Sequence, residues 1–317
     1  MISVFKSNQP LTAMLFPLII VGFALTFYFS NQTTDSMDFG LWGVVGTLDK
    51  TIVILISCVI LTFNAYALNS VFNKNDFLEK NTYVIGLIYL IGCFTMSIFE
   101  NPGLILFHFF DILSFRQLFF IKQNEDARKP IFNGSLLLAL GLTFFPHAFP
   151  VVLFPFFTLI VIRPFVWREY MLSVLGLMTP LTYVYFYYFM YNEPNQLVNF
   201  FWNNDFVLNW SIQSFTVFAT WIVLLLISFV VINSKIKRSG LRFKRLIMLS
   251  WISVLLLVLS EFVHFFNQKE YLTISQVGTT ILIGTGISLT RFSIIFNLAL
   301  YFLILFGIYI QLGLKLF

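Results

Sequence analysis

The chain has 317 residues, of which 59% are hydrophobic, 19% aromatic and only 10% charged, against about 25% charged in an average soluble domain. Forty-two phenylalanines and a mean hydropathy of +0.88 exclude a water-soluble domain, which at this size could not hide so much apolar surface. The net charge of +5 does not point to nucleic acid, because the basic residues sit in short gaps between apolar runs and not on one soluble face.

Apolar runs near the length that spans about 30 Å of hydrocarbon follow one another along the chain. The first, Leu11–Phe29, is closed by no small-x-small cleavage pattern and is expected to be a retained helix, not a secretory signal. Thr51–Leu68, Tyr83–Phe99 and Gly103–Ile121 come next. Between Ile131 and Ile162, two runs of about fifteen residues, near the lower limit for spanning, flank Phe145-Pro146-His147-Ala148-Phe149-Pro150 and suggest a tight helical hairpin. Tyr170–Tyr191, Phe215–Val231 and Leu246–His264 follow. Then come Tyr271–Thr290, rich in Gly, Thr and Ser and the weakest span, and Phe292–Leu312. The expected fold is all-α: a polytopic integral membrane protein of about eleven transmembrane helices (ten without the weakest), forming one transmembrane domain over residues 1–317 with no soluble domain.

Alternating the sides of these runs, with the N-terminus in the cytoplasm, separates the cations sharply. Lys6, Lys74, Lys80, Arg116, Lys122, Arg128, Lys129, Arg163, Arg168, Lys235, Lys237, Arg238, Arg242, Lys244, Arg245 and Arg291 fall inside, and Lys50, Lys269 and Lys315 outside. Sixteen against three is a strong positive-inside asymmetry, expected of a bacterial inner-membrane protein.

The same alternation puts the acids and histidines on the outer side: Asp35, Asp38 and Asp49 in the first outer loop, Glu100 at the second, Glu193 and Asp205 in the fourth, Glu261 and Glu270 at the fifth, with His108, His147 and His264 beside them. General acid–base chemistry uses these groups, although acids are only weakly constrained by sidedness and need not converge. Glu261-x-x-His264 and His108-x-x-Asp111 each place an acid and an imidazole one helical turn apart, and for the first a hydrogen-bonded pair is the simplest expectation. Glu-x-x-His is half of a di-iron signature, but that signature needs two copies and two further glutamates; no metal is expected. Asp111, an ionisable group within an apolar run, is a functional candidate unless it serves as a buried interhelical hydrogen bond.

The outer segment Asn192–Gln213 carries Trp202, Asn203, Asn204 and Asp205 among six asparagines. Amides and indoles together suit a sugar ring, and equally an aromatic belt at the interface. On the inner side, Arg163-Pro164-Phe165-Val166-Trp167-Arg168-Glu169 forms a sharp turn whose arginines can pair with Glu169 or with phosphate. The basic run Lys235–Arg245 is a patch for anionic headgroups, including a lipid-linked pyrophosphate. Cys58 and Cys93 both lie in apolar runs, which excludes a disulfide framework and a thiolate zinc site. No Walker loop, dinucleotide fingerprint, nucleophile elbow or HExxH helix is present, and no cofactor is expected.

Phe5-Lys6-Ser7-Asn8-Gln9-Pro10, Glu100-Asn101-Pro102-Gly103 and Arg163-Pro164-Phe165-Val166-Trp167-Arg168-Glu169 resemble segments of an uncharacterised family of multi-span inner-membrane proteins of Bacteroidota. That resemblance runs over most of the chain and implies location and topology, with no activity. A looser, fold-level likeness is to the GT-C glycosyltransferases, which take sugars from polyprenyl-phosphate donors and carry acids in their first outer loops. Asp35, Asp38 and Glu100 occupy comparable places, but the acidic doublet often seen there and a soluble C-terminal domain are missing.

Three functions stay open on this reading. The first is processing or transfer of a lipid-linked sugar at a pocket open to the periplasm, with Asp35 or Asp38 as general base, Glu100 and His147 assisting, and Trp202, Asn203, Asn204 and Asp205, with Arg163 and Arg168, binding substrate. The second is a non-enzymatic subunit of an envelope secretion, motility or assembly complex, partnered by other membrane proteins. The third is a small-solute transporter, motivated by Asp111 and by the stretch Gly278–Thr290, where broken helices could line a site; His108, Glu261 and His264 are the other intramembrane polar candidates.

Overall fold

The computed structural model describes residues 2–6, 9–30, 40–41, 50–75, 77–78, 80–123, 125–191, 212–264, 275–290 and 293–311, with the backbone alone at 10, 11, 212–214, 261–264 and 293. Among the described residues the chain is all-α, with twelve α-helices and no strand. They are α1 (Ile2–Phe5), α2 (Pro10–Phe29), α3 (Lys50–Lys74), α4 (Val84–Thr95), α5 (Pro102–Phe119), α6 (Arg128–Phe144), α7 (Phe154–Ile162), α8 (Trp167–Met190), α9 (Ile212–Ile236), α10 (Leu241–His264), α11 (Gln276–Leu289) and α12 (Ser293–Gln311). Two 3-10 segments, Ile98–Glu100 and Pro146–Leu153, join α4 to α5 and α6 to α7.

Six of these helices are long and apolar enough to cross a membrane: Thr12–Phe29 in α2, the whole of α3 and α8, Phe215–Ile236 in α9, Leu241–Ser260 in α10 and Ile294–Gln311 in α12. The chain is therefore a multi-span helical membrane protein, and the expected eleven spans are corrected to six among the described residues. The reason is helix length and content. At 1.5 Å per residue, the 12 residues of α4 reach only about 18 Å, and α11 has 14 residues and α7 nine. The runs in α5 and α6 are diluted by His108, Asp111 and Arg116 and by Arg128 and Lys129.

The short helices form the inside. All twelve residues of α4 are buried, enclosed by α2, α3, α11 and α12. Residues Gln276–Ile287 of α11 are buried too, between α4, α9 and α10. In contrast, only 28% of each span in α2, α8, α9 and α12 is buried, and side chains such as Leu18, Phe186, Leu226 and Leu298 point outward. Apolar groups on the outer surface of a bundle this size face lipid. The hydrophobic pattern alone does not separate a spanning helix from a wholly buried one, since both are apolar all round.

Small residues let α11 enter. A Cβ on Gly286 would stand 2.7 Å from the Ser228 Cα of α9, so the two backbones touch there. Such small-residue crossings drive helix association where lipid leaves no hydrophobic gradient. Aromatic stacking fills the rest: Phe23 lies flat on Phe94 at 3.6 Å, and Phe115 on Phe154 at 4.8 Å. On the other side, α5 and α6 run antiparallel, with Phe110 stacked on Phe144 at 5.7 Å and the Ser114 hydroxyl donating to the Gly134 carbonyl at 2.8 Å; α8 packs on α6, its Ser173 hydroxyl 3.0 Å from that of Ser135.

Candidate functional site

Among the described residues, two places concentrate polar groups. The first lies inside the bundle. Asn64 of α3 donates its amide to the Tyr89 hydroxyl of α4 at 3.2 Å and to the Ile105 carbonyl of α5 at 3.3 Å. The same Tyr89 hydroxyl lies 3.1 Å from Nδ1 of His108. One turn along α5, Asp111 is fully buried with neither carboxylate oxygen hydrogen-bonded, and Asn64 Oδ1 also lacks a partner. Asp111 is close enough to act electrostatically on Tyr89. The buried interhelical hydrogen bond weighed for Asp111 is therefore not made: neither of its oxygens has a partner, while Nδ1 of His108 turns to Tyr89 on the neighbouring helix. Asn64 and Tyr89 went unnoticed in the sequence, although an asparagine within an apolar run is itself a signal, because a buried amide needs partners.

The second place is the face where the cations gather. Lys6, the Phe77–Thr82 connection between α3 and α4, the Lys235–Gly240 end of α9 and the end of α11 enclose a cavity of about 480 Å³. It is lined by Lys6, Lys80 and Lys235, by Thr82 and Ser239, and by the apolar side chains of Phe77, Leu78, Phe243 and Leu289. No acid lines it among the described residues; Asp76 and Glu79 of the same connection lie outside them. Lys6 donates to the Thr290 carbonyl at 3.4 Å, and partial burial lowers its ammonium from the usual lysine range. Cations brought close together without counter-charge favour a multivalent anion.

A neighbouring hollow of about 200 Å³ is lined by Lys122, Gln123, Arg242 and Arg245. Arg245 donates to Gln123 Oε1 at 3.1 Å and to the Ile162 carbonyl at 3.3 Å, and Arg242 to Asn75 Oδ1 at 3.2 Å. The basic run is thus not uniform: Arg242 and Arg245 tie helix ends together, whereas Lys235, Lys237 and Arg238 are exposed.

The remaining candidates divide as follows. Asp35, Asp38, Trp202, Asn203, Asn204 and Asp205 lie outside the described residues, as do the side chains of Glu261 and His264. Glu100 ends a 3-10 turn entered through Ser97 in the left-handed region at φ 50°. Next to it, Asn101 Oδ1 caps α5 by accepting from the Leu104 N–H at 3.0 Å, and Pro102 takes the first helical position. The Glu-Asn-Pro-Gly segment is thus a helix-start device. His147, half-buried beside Phe145, offers its backbone carbonyl to the Ser260 hydroxyl. The antiparallel run of α5 and α6 puts Glu100 and His147 at one end of the bundle. The Arg163 guanidinium faces Glu169 at 3.4 Å and donates to the Glu125 carbonyl. Arg168 is exposed.

Compared with family models, curated proteins and solved structures, the chain matches none.

Proposed function

We infer that this is a bacterial inner-membrane protein that engages an anionic, phosphate-bearing lipid at its basic face and acts on a sugar carried by such a lipid. The observation that supports the lipid part is that Lys6, Lys80 and Lys235 line one cavity together with Phe77, Leu78, Phe243 and Leu289, a lining suited to a phosphate and the acyl or polyprenyl chain attached to it. Sidedness supports the location, since the cavity gathers lysines from three segments that the charge asymmetry assigns to the cytoplasm. The sugar part rests on the outer acids Asp35, Asp38 and Glu100 with His147, and on Trp202, Asn203 and Asn204 as a glycan surface.

The test has two arms. Purified protein is floated with vesicles of neutral lipid alone or doped with a polyprenyl phosphate or with phosphatidylglycerol. Binding to phosphate-bearing vesicles that drops on changing Lys6, Lys80 and Lys235 together to Gln is the expected result; equal binding by wild type and variant removes the lipid assignment. In cells, alanine at Asp35, Asp38 and Glu100 is expected to abolish a glycan product while expression persists. Unchanged glycan would favour a non-enzymatic envelope subunit, which co-purification with other membrane proteins would then identify.

A further inference from the structure

Asp111 is an acid of the bundle interior that the lipid-binding reading does not use. Asp111 is fully buried and both of its carboxylate oxygens are without a hydrogen-bond partner. Native proteins rarely leave such groups unsatisfied, and an acid inside a membrane bundle is tolerated only with a counter-charge or a polar surrounding.

Among the described residues the surrounding elements supply no counter-charge, and the 3-10 segment that leads into α5 adds only the acid Glu100. On α3 the cations Lys50 and Lys74 are its first and last residues, and its other titratable groups are Cys58 and Tyr66. From α4 come Tyr89 and Cys93. On α6 Arg128 and Lys129 open the first turn, and α7 and α11 carry no charged residue. His147 precedes α7. On α5 itself, Arg116 is exposed and five residues away, well round the helix from Asp111. His108, on the Asp111 face, has its Nδ1 at the Tyr89 hydroxyl.

Among the described residues Asp111 therefore meets no cation, while Asn64, on a helix packed against α5, keeps a buried oxygen without a partner. We propose that Asp111, with Asn64, Tyr89 and His108 beside it, is an intramembrane binding site for a small exchangeable cation, either an alkali ion or a proton. A transition metal does not fit, since no three of His, Cys, Asp and Glu gather among the described residues. An alkali ion takes oxygen ligands, and Asp111, the free Asn64 Oδ1 and the Tyr89 hydroxyl are of that kind. A proton would need only the carboxylate and would neutralise it in place.

The experiment compares thermal unfolding of purified full-length wild type and Asp111→Asn. One arm varies sodium, potassium or lithium against choline at constant ionic strength and pH; the other varies pH in choline alone. A midpoint that climbs with one alkali ion in wild type and not in Asp111→Asn identifies an alkali site. A pH response present in wild type and lost in the variant identifies a proton site. Identical responses of the two proteins in both arms overturn the proposal. Should Asp111→Asn not fold, dicyclohexylcarbodiimide labelling of wild type decides, with Asp111 read by peptide mass spectrometry. Labelling slowed by an alkali ion or by rising pH is expected, and an Asp111 that is unmodified, or labelled indifferently to both, overturns it.

Discussion

The Tyr89 hydroxyl lies 3.1 Å from His108 Nδ1 at the centre of the bundle, where both side chains are fully buried. It joins α4 to α5 and, through the Asn64 amide at 3.2 Å, to α3. Tyr89→Phe keeps the ring and removes the hydroxyl, so two buried polar groups lose a partner at once. We expect a loss of about 1–3 kcal/mol in unfolding free energy, read by denaturation in detergent. A double-mutant cycle with His108→Phe should return a coupling of about 0.6 kcal/mol, up to roughly 1.7, the range found for hydrogen bonds between membrane helices. Zero coupling would mean that the pair is a geometric coincidence.

Gly286 sets how closely α11 approaches α9. A methyl there would meet Ser228 Cα at 2.7 Å, backbone that cannot rotate away, so Gly286→Ala must push two helices apart. The expected cost is about 1–3 kcal/mol. Gly22, with nothing within 4 Å of its Cβ position, is the control. Gly22→Ala should be neutral or gain up to about 1 kcal/mol of helix propensity. Equal effects of the two changes would show that α11 does not make this close crossing.

How much of this was legible in the sequence differs between helix and site. The apolar run Thr51–Leu68 located α3, and Leu11–Phe29 located α2 almost to the residue. Tyr83–Phe99 looks equally apolar, yet α4 ends at Thr95, because Ser97 turns left-handed and a 3-10 turn follows. Hydropathy registers the run and not the break. The cavity lysines were each assigned to the same side but sit in three separate segments, and only the packing of four helix ends makes them one site. His108 and Asp111 share a face by spacing, as expected. Spacing cannot register that Tyr89, from another helix, takes the imidazole nitrogen.

Arg163 and Glu169 close the turn between α7 and α8, 3.4 Å apart and 13% and 5% exposed. A pair this enclosed is costly to break on one side, because the surviving charge stays where water does not reach it. Glu169→Gln is expected to destabilise by about 1–3 kcal/mol. Arg168→Gln, at an exposed side chain in the same segment, should stay within about 0.5 kcal/mol of wild type. Thermal unfolding of the two variants side by side checks this. If Arg168 proved the costlier residue, the distinctive Arg-Pro-Phe-x-x-Arg-Glu turn would owe its pattern to a ligand and not to the ion pair.

Lys6 gives the basic cavity a pH dependence whose two consequences have opposite signs. Burial lowers its ammonium from the usual lysine range. As pH rises through that lowered value, the folded protein loses a cation that an ordinary lysine would still carry. Binding of anionic vesicles should then weaken on the alkaline side, and Lys6→Arg, which cannot deprotonate, should shift that weakening to higher pH. Stability of the lipid-free protein moves the other way. Between the lowered value and the unfolded one, the unfolded chain holds a proton that the folded chain has released, so unfolding free energy rises with pH across that window. Lys6→Gln removes both effects. Vesicle flotation and thermal unfolding on the same pH series test the pair together. A wild-type affinity that falls no earlier than that of Lys6→Arg would place the Lys6 ammonium outside the anion site.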